Sequence, residues 1–201
     1  MTPIEIVNVG LTALGERPIQ SFDDGSVAAS CAQTMFRGAL EATLEAAPWN
    51  DAAARAQLAA SAAPPAFGYR HQYLLPGDLL RVREVFGGRL KWAREGRSLL
   101  TDAGPSINIL YTRTLYYGPD GRPVLPGQNI AMSGLLATAI GYRFAAMSGL
   151  RITGEASAVQ AVWSLYRDAI TQACARDAIE GTIPAGEISS WIDPTLPDSW
   201  A

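Results

Sequence analysis

Apolar residues near the start of the chain recur at helical spacing. They are separated by three or four positions and fall on one face of a predicted α-helix: Ile4, Val7, Leu11 and Leu14. Gly15 can adopt the left-handed conformation that ends a helix, and Pro18 prevents the helix from continuing. The pattern predicts a first helix that ends near Gly15.

A second helical pattern follows a short polar turn. Asp23, Asp24 and Ser26 carry oxygens that can accept hydrogen bonds from the free N–H groups at a helix N-terminus. The apolar positions that follow keep helical spacing: Val27, Cys31, Phe36, Leu40 and Leu44. The two patterns together predict a helical hairpin.

The middle of the chain changes to the alternation that is typical of β-strands. Large residues alternate from Phe67 to Leu75, and again from Ile107 to Tyr111. Leu80 begins another predicted strand, and Gly87-Gly88 can form a tight hairpin whose return strand contains Trp92. These patterns predict a small antiparallel β-sheet or sandwich.

The stretch Ala52 to Ala63 precedes these strands and is rich in alanine. Alanine favours helix, and Pro64-Pro65 ends whichever element is present. The pattern therefore leaves the state of this stretch open.

Helical spacing resumes after a loop that contains Asp120-Gly121. One predicted helix includes Ile130, Leu135, Ala139 and Phe144 and ends at Gly149, and a last helix runs from about Glu155 to Ile179. The elements predict an α+β fold, in which a bundle of N- and C-terminal helices accompanies the central strands.

The predicted organisation has four segments. Residues 1–63 form an N-terminal helical segment, 64–118 a β-rich subdomain, 119–181 the C-terminal helices that complete the bundle, and 182–201 an extended docking arm, the C-terminal arm. The arm carries five candidate anchors: Ile188, Trp191, Ile192, Leu196 and Trp200. Such side chains can bury large areas in a partner pocket, and packing of the arm over its own subunit is an equal alternative.

Composition indicates a folded chain with few chemically reactive groups. The 201 residues are 48% hydrophobic, which suits a sizeable core, and the net charge of −3 offers no broad cationic face for tight DNA binding. Cys31 and Cys174 are far apart in the sequence, which favours free thiols in a reducing cytoplasm over a disulfide or a zinc site. No cofactor or metal is expected.

One apolar segment raises the question of a membrane span. Ile130 to Tyr142 is followed by Arg143, well short of the ~20 apolar residues that cross a bilayer. The N-terminus also lacks the basic region of a secretory signal. A packed helix in a protein made in the cytoplasm is therefore expected.

Candidate catalytic groups are few, and an enzyme is not expected. Glu41 and Glu45 lie four residues apart on the second helix, a spacing that could supply an acid and a base for glycoside hydrolysis. Exposed glutamates on a helix surface are far commoner. His71, the single histidine, lies in an alternating strand pattern that favours a packing role over that of a general base.

The region from Leu80 to Arg97 is locally basic and offers candidate contacts to DNA or to a partner protein. Its cationic residues surround Trp92: Arg81, Arg83, Arg89, Lys91, Arg94 and Arg97. A solvated strand face remains the favoured interpretation, because charged side chains often keep strand edges soluble.

The stretch Ala13 to Ser30, with the sequence ALGERPIQSFDDGSVAAS, resembles the tail tubular protein A family, the head-to-tail adaptor of T7-like short-tailed phages. Further motifs follow in the order and approximate spacing of that family: Pro48-Trp49-Asn50, residues 55–59, residues 65–69, residues 73–76 with Asp78, Leu80-Arg81-Val82 and residues 99–102. The resemblance covers roughly the first half of the chain. From Gly118 onward it is a general likeness of two helices.

The resemblance implies a structural protein of the virion tail that is assembled in the host cytoplasm. It implies a dodecameric ring that connects the portal protein to a tail nozzle like tail tubular protein B, lines the DNA conduit and has tail fibres as candidate neighbours. Its helices would hold the ring laterally, and its strands would face the tail. Two alternatives stay open: a tail-associated peptidoglycan hydrolase that uses Glu41 and Glu45, and a DNA-contacting module that uses Arg81, Arg89 and Arg94.

Overall fold

The computed structural model of the chain describes residues 1–87, 90–118 and 121–180. The helices in these ranges are α1 (Pro3–Ala13), α2 (Val27–Ala46), a single 3₁₀ turn (Asn50–Ala52), α3 (Gly134–Thr153) and α4 (Ala156–Glu180). The strands are β1 (Ala53–Ala59), β2 (His71–Leu74), β3 (Leu79–Phe86), β4 (Trp92–Glu95), β5 (Ser98–Thr101) and β6 (Ser106–Arg113). The predicted α+β fold is confirmed.

Local hydrogen bonds define both ends of α1 and the start of α2. Thr2 and Glu5 form a reciprocal capping box at the start of α1. At its end Gly15 has a positive φ of 78°, and the Glu16 N–H donates to the Leu11 carbonyl at 2.9 Å. Ser26 caps α2 by accepting from the Ala29 N–H at 3.1 Å. The predicted end near Gly15 and the predicted polar cap are therefore confirmed.

The helical bundle is organised around α3, which packs against α1, α2 and α4. At the crossing of α1 and α3, Gly10 faces Gly141 so closely that a Cβ on Gly10 would lie 2.2 Å from the Gly141 carbonyl oxygen. The buried core of this bundle includes Ile6, Leu40 and Phe144, each fully inaccessible to solvent. Two glycines thus allow the backbones of α1 and α3 to approach directly.

Two details of the predicted third helix are wrong. The helix begins at Gly134, capped by Ser133, so Ile130 lies before it, although Ile130 is buried. It continues through Gly149 and ends at Gly154, which has a φ of 73°. A Cβ on Gly149 would lie 3.0 Å from Val159 Cγ2 and 3.1 Å from Leu14 Cδ2, so this glycine provides packing space instead of a helix end.

The six strands form two antiparallel three-stranded sheets. Their strand orders are β1-β6-β3 and β2-β5-β4. Side chains from both sheets share one apolar core, which includes Tyr73 and Leu99 from one sheet and Val82 and Ile109 from the other. The strands therefore form a small sandwich, one of the two arrangements that the sequence predicts.

The alanine-rich stretch after α2 is a strand for most of its length. β1 pairs with β6 in a register that places Ala56 opposite Ile109. Leu58 turns into the sandwich core while Arg55 and Gln57 stay exposed, so pairing and burial override the helical preference of alanine. The β-rich region consequently begins at Ala53, inside the N-terminal segment that was expected to be helical.

The predicted hairpin through Gly87-Gly88 is also wrong. β3 pairs with β6, whereas β4 pairs with β5 in the other sheet. The hairpin of this region joins β4 to β5 through Gly96, which has a φ of 55°. The strand predicted from Phe67 is shorter than expected, because Phe67 lies outside β2 and is 88% exposed.

Candidate interaction surfaces

The predicted basic region contains one arginine, Arg83, that is half-buried and forms hydrogen bonds within the fold. Arg83 donates from Nε to Thr112 Oγ1 at 2.8 Å, and its guanidinium also donates to the Trp49 carbonyl. Burial lowers the pKa of Arg83 below its usual range. Arg83 therefore joins the sheet to the end of α2 and is not part of an open cationic face.

The other cations of this region lie at or near the surface. Arg94 donates to the Leu80 carbonyl at 2.8 Å, which satisfies a backbone acceptor of β3. Arg81 and Lys91 are exposed, and Arg89 lies outside the described residues. The region thus contains two arginines with structural hydrogen bonds instead of a uniform set of solvated charges.

The two candidate catalytic glutamates have different surroundings. Glu41 Oε1 accepts from Arg37 Nε at 2.9 Å and from Thr114 Oγ1 at 3.1 Å, so it links α2 to the segment after β6. Glu45 is exposed. His71 is half-buried with its ring 6.3 Å from that of Tyr73. Glu41 thus makes hydrogen bonds between two segments of the fold, and His71 packs beside Tyr73.

A cleft of 250 Å³ lies between α2, the turn before α2 and the segment after β6. Its wall contains Phe22 and Phe36, whose ring centroids are 6.2 Å apart, together with Tyr116. Arg37 lies over Tyr116 with 5.0 Å from its guanidinium carbon to the ring centroid. We call this the aromatic cleft, and its other lining residues are Pro3, Asp23, Ala32, Gln33, Val124 and Pro126.

Hydrogen bonds from side chains and backbone hold the walls of the aromatic cleft. Gln33 Nε2 donates to the Phe22 carbonyl and to Asp23 Oδ1, both at 2.8 Å, which fixes the turn before α2. The Val124 N–H donates to the Tyr116 carbonyl at 2.8 Å and closes the opposite wall. No sequence motif marks this site, because its residues come from distant regions of the chain.

A second depression adjoins the aromatic cleft and shares Val124 with it. Its volume is 800 Å³, and its other lining residues are Gly118, Arg122, Pro123, Leu125, Gln128 and Asn129. A ligand that fills both depressions would pass over Val124.

A buried tyrosine in the sandwich gives a pH-dependent prediction. Tyr111 donates from its hydroxyl to Asp78 Oδ1 at 3.2 Å, and burial, followed by the charge of Asp78, raises the pKa of Tyr111 to about 12. In the unfolded chain a tyrosine ionises near its ordinary pKa of about 10, so the free energy of unfolding should fall between pH 10 and 12. Tyr111→Phe should make this fall shallower in chemical denaturation series. Tyr69→Phe is the control, because it leaves the hydrogen bond between Tyr111 and Asp78 intact. If the free energy of unfolding falls equally steeply with pH in all three proteins, Tyr111 is not the group responsible.

The described regions of the chain contain neither a cluster of metal-binding side chains nor a helix that could span a membrane. Residues 1–87, 90–118 and 121–180 contain no group of three His, Cys, Asp or Glu side chains that could hold a metal ion. Cys31 and Cys174 are free thiols, and burial raises the pKa of Cys174. None of the described helices is long and apolar enough to cross a membrane.

The five anchors predicted on the C-terminal arm, Ile188, Trp191, Ile192, Leu196 and Trp200, lie outside the described residues. Neither a protein-family model nor a curated protein sequence matches the chain. Function is therefore inferred from the motifs and contacts of the chain itself.

Proposed function

We propose that the chain is a subunit of a ring-shaped head-to-tail adaptor of a short-tailed phage, which connects the portal to the tail nozzle. The observation that carries this proposal is the ordered series of motifs from Ala13 to Asp102 that resembles the tail tubular protein A family. Several motifs in one order are more specific than any single short match. The ring, its twelve subunits and its neighbours come from this resemblance.

The positions of the motif residues in the fold support a shared architecture. Gly15 and Ser26 shape the connection between α1 and α2, and Trp49 packs where α2 meets the sandwich. Tyr73 is fully buried in the sandwich, and Asp102 Oδ1 accepts from the Arg70 N–H at 2.9 Å. Residues of this kind specify a fold, so their joint presence supports a common fold with the family.

Exposed apolar side chains on the helices suit lateral contacts between subunits. The helices α3 and α4 present five of them to solvent: Leu135, Met147, Leu150, Leu165 and Ile179. Contacts between different surfaces of identical subunits are the kind that close into rings. The net charge of −3 also suits a conduit, because strong cationic binding would slow the passage of DNA.

Mass determination by light scattering tests the adaptor. We expect the purified full chain, alone or after it is mixed with the portal protein of the same phage, to give a ring of about twelve subunits, as the family resemblance implies. Removal of residues 182–201, or Trp191→Ala with Trp200→Ala, should weaken assembly while the circular dichroism of the monomer is unchanged. A chain that stays monomeric and ignores the portal would contradict the adaptor.

A further inference from the structure

The C-terminal arm carries an apolar repeat of three residues. Every third position from 188 to 200 is apolar: Ile188, Trp191, Pro194, Pro197 and Trp200. A polyproline II helix has three residues per turn, so these five side chains would form a single stripe about 37 Å long in that conformation. Ile192 and Leu196 fall outside this stripe.

We propose that this stripe binds, as an extended polyproline II segment, to the aromatic cleft and the adjoining depression of a second copy of the chain. Proline-containing segments bind to grooves lined by aromatic side chains, where little conformational entropy is lost. Phe22, Phe36 and Tyr116 give the aromatic cleft this character. The inference rests on the homo-oligomer proposed above and identifies one of its contacts.

The volume of the aromatic cleft is large enough for one or two side chains of the stripe. Its 250 Å³ lies below the range of about 300–1,000 Å³ that is typical of small-molecule pockets. Successive members of the stripe would be about 9 Å apart in polyproline II geometry. Two neighbouring members could therefore occupy the aromatic cleft and the depression that shares Val124 with it.

Charge adds a second element of complementarity. Residues 181–201 contain Glu187, Asp193 and Asp198 and no Lys, Arg or His. Arg37, at the wall of the cleft, pairs with Glu41, but its side chain remains 49% exposed. The guanidinium of Arg37 can therefore donate to a second carboxylate from a bound segment, and Asp23 is the acidic residue in the lining that such a segment must avoid.

The receiver is a second copy because the ring proposed above joins different subunits. Near the end of α4, Asp177 accepts from the Asn50 N–H at 3.0 Å, so α4 ends close to the C-terminal end of α2. The aromatic cleft uses α2 residues from Ala32 to Arg37, and Arg37 lies about 14 Å along the helix axis from Ala46. Eight residues in polyproline II geometry span about 25 Å, so binding within one subunit is the alternative that the experiment must distinguish.

Binding of a synthetic peptide tests the proposal without a portal or a ring. The receiver is the full chain with Trp191→Ala and Trp200→Ala, and the probe is a labelled peptide of residues 182–201 followed by fluorescence anisotropy. We expect saturable binding that is at least tenfold weaker for a peptide with Trp191→Ala and Trp200→Ala. A matched peptide with Ile192→Ala and Leu196→Ala, outside the stripe, should bind within about threefold of the natural peptide.

Receiver variants locate the site. Tyr116→Ala should weaken binding at least tenfold, whereas Phe67→Ala, at an exposed residue that does not line the cleft, should leave it unchanged. Hydrogen exchange provides a second measurement in case Tyr116→Ala does not fold. It uses the receiver with Trp191→Ala and Trp200→Ala only, so Tyr116 and Phe67 are unchanged. Bound peptide should then protect residues 22–37 and 116–118 from exchange.

Three results would overturn the proposal: no saturable binding, equal weakening by the changes on and off the stripe, or protection at another surface. A full chain that protects its own cleft at concentrations where it is monomeric would show binding within one subunit and would also overturn it. A chain that binds the peptide but never forms a ring contradicts only the adaptor. If the natural chain forms the ring but the receiver with Trp191→Ala and Trp200→Ala does not bind the peptide, only the arm contact is contradicted.

Discussion

Gly10→Ala is expected to lower the free energy of unfolding by about 3 kcal/mol or more, because it overpacks the crossing of α1 and α3. The added Cβ would lie 2.2 Å from the Gly141 carbonyl oxygen, which is backbone and cannot rotate away. Gly141→Ala should act in the same direction, since its Cβ would lie 2.6 Å from the Ile6 carbonyl oxygen. Urea denaturation of each variant measures the change.

Gly38→Ala is a matched control for this prediction. Gly38 also lies inside a helix, but the nearest atom to an added Cβ is Met147 Cε at 3.9 Å. Replacing an interior helical glycine by alanine should therefore raise the stability by about 0.5–1 kcal/mol. A Gly10→Ala variant that unfolds like the unmutated chain would show that α1 and α3 are not in direct backbone contact.

Trp49→Ala is expected to lower the free energy of unfolding by about 3–5 kcal/mol. Trp49 is 1% exposed, and its Nε1 donates at 2.8 Å to the Thr43 carbonyl in the last turn of α2. Its own carbonyl accepts from Arg83 of β3. The substitution thus removes core packing and the hydrogen bond to the last turn of α2, while the backbone carbonyl that accepts from Arg83 remains.

Thermal unfolding followed by circular dichroism and by tyrosine absorbance checks this second prediction. We expect the unmutated chain to unfold in one transition, and Trp49→Ala to unfold at a lower temperature by about 6–20 °C. Trp92→Ala is the matched control, because Trp92 is 38% exposed, and it should cost much less. Equal losses at both tryptophans would contradict this role of Trp49 in the core.

The joint between the bundle and the sandwich depends on polar groups that each serve two elements. Arg83 connects β3 to Trp49, Glu41 connects α2 to Thr114, and Asp177 of α4 accepts from the Asn50 N–H. None of these contacts is visible as a motif, because the partners are between 34 and 127 residues apart. The Arg83 contact shows why a region with a basic composition need not present all of its cations on the surface.

Features that depend on neighbouring residues follow from the sequence alone. The end of α1 at Gly15, the Ser26 cap and the last helix, predicted from Glu155 to Ile179 and observed at Ala156–Glu180, are of this kind. Their hydrogen bonds join residues a few positions apart, so local spacing and side-chain chemistry determine them. The α+β class follows in the same way, because the spacing of apolar residues changes from helical to alternating and back to helical along the chain.

The features that the tertiary structure decided depend on distant partners. Ala53–Ala59 is a strand because β6 supplies its hydrogen bonds, and Gly149 is interior because Leu14 and Val159 pack against it. Local propensity contains no information about such partners. The aromatic cleft has the same origin, since its lining includes both Phe36 and Tyr116, which are 80 positions apart, and only the packed chain brings them together.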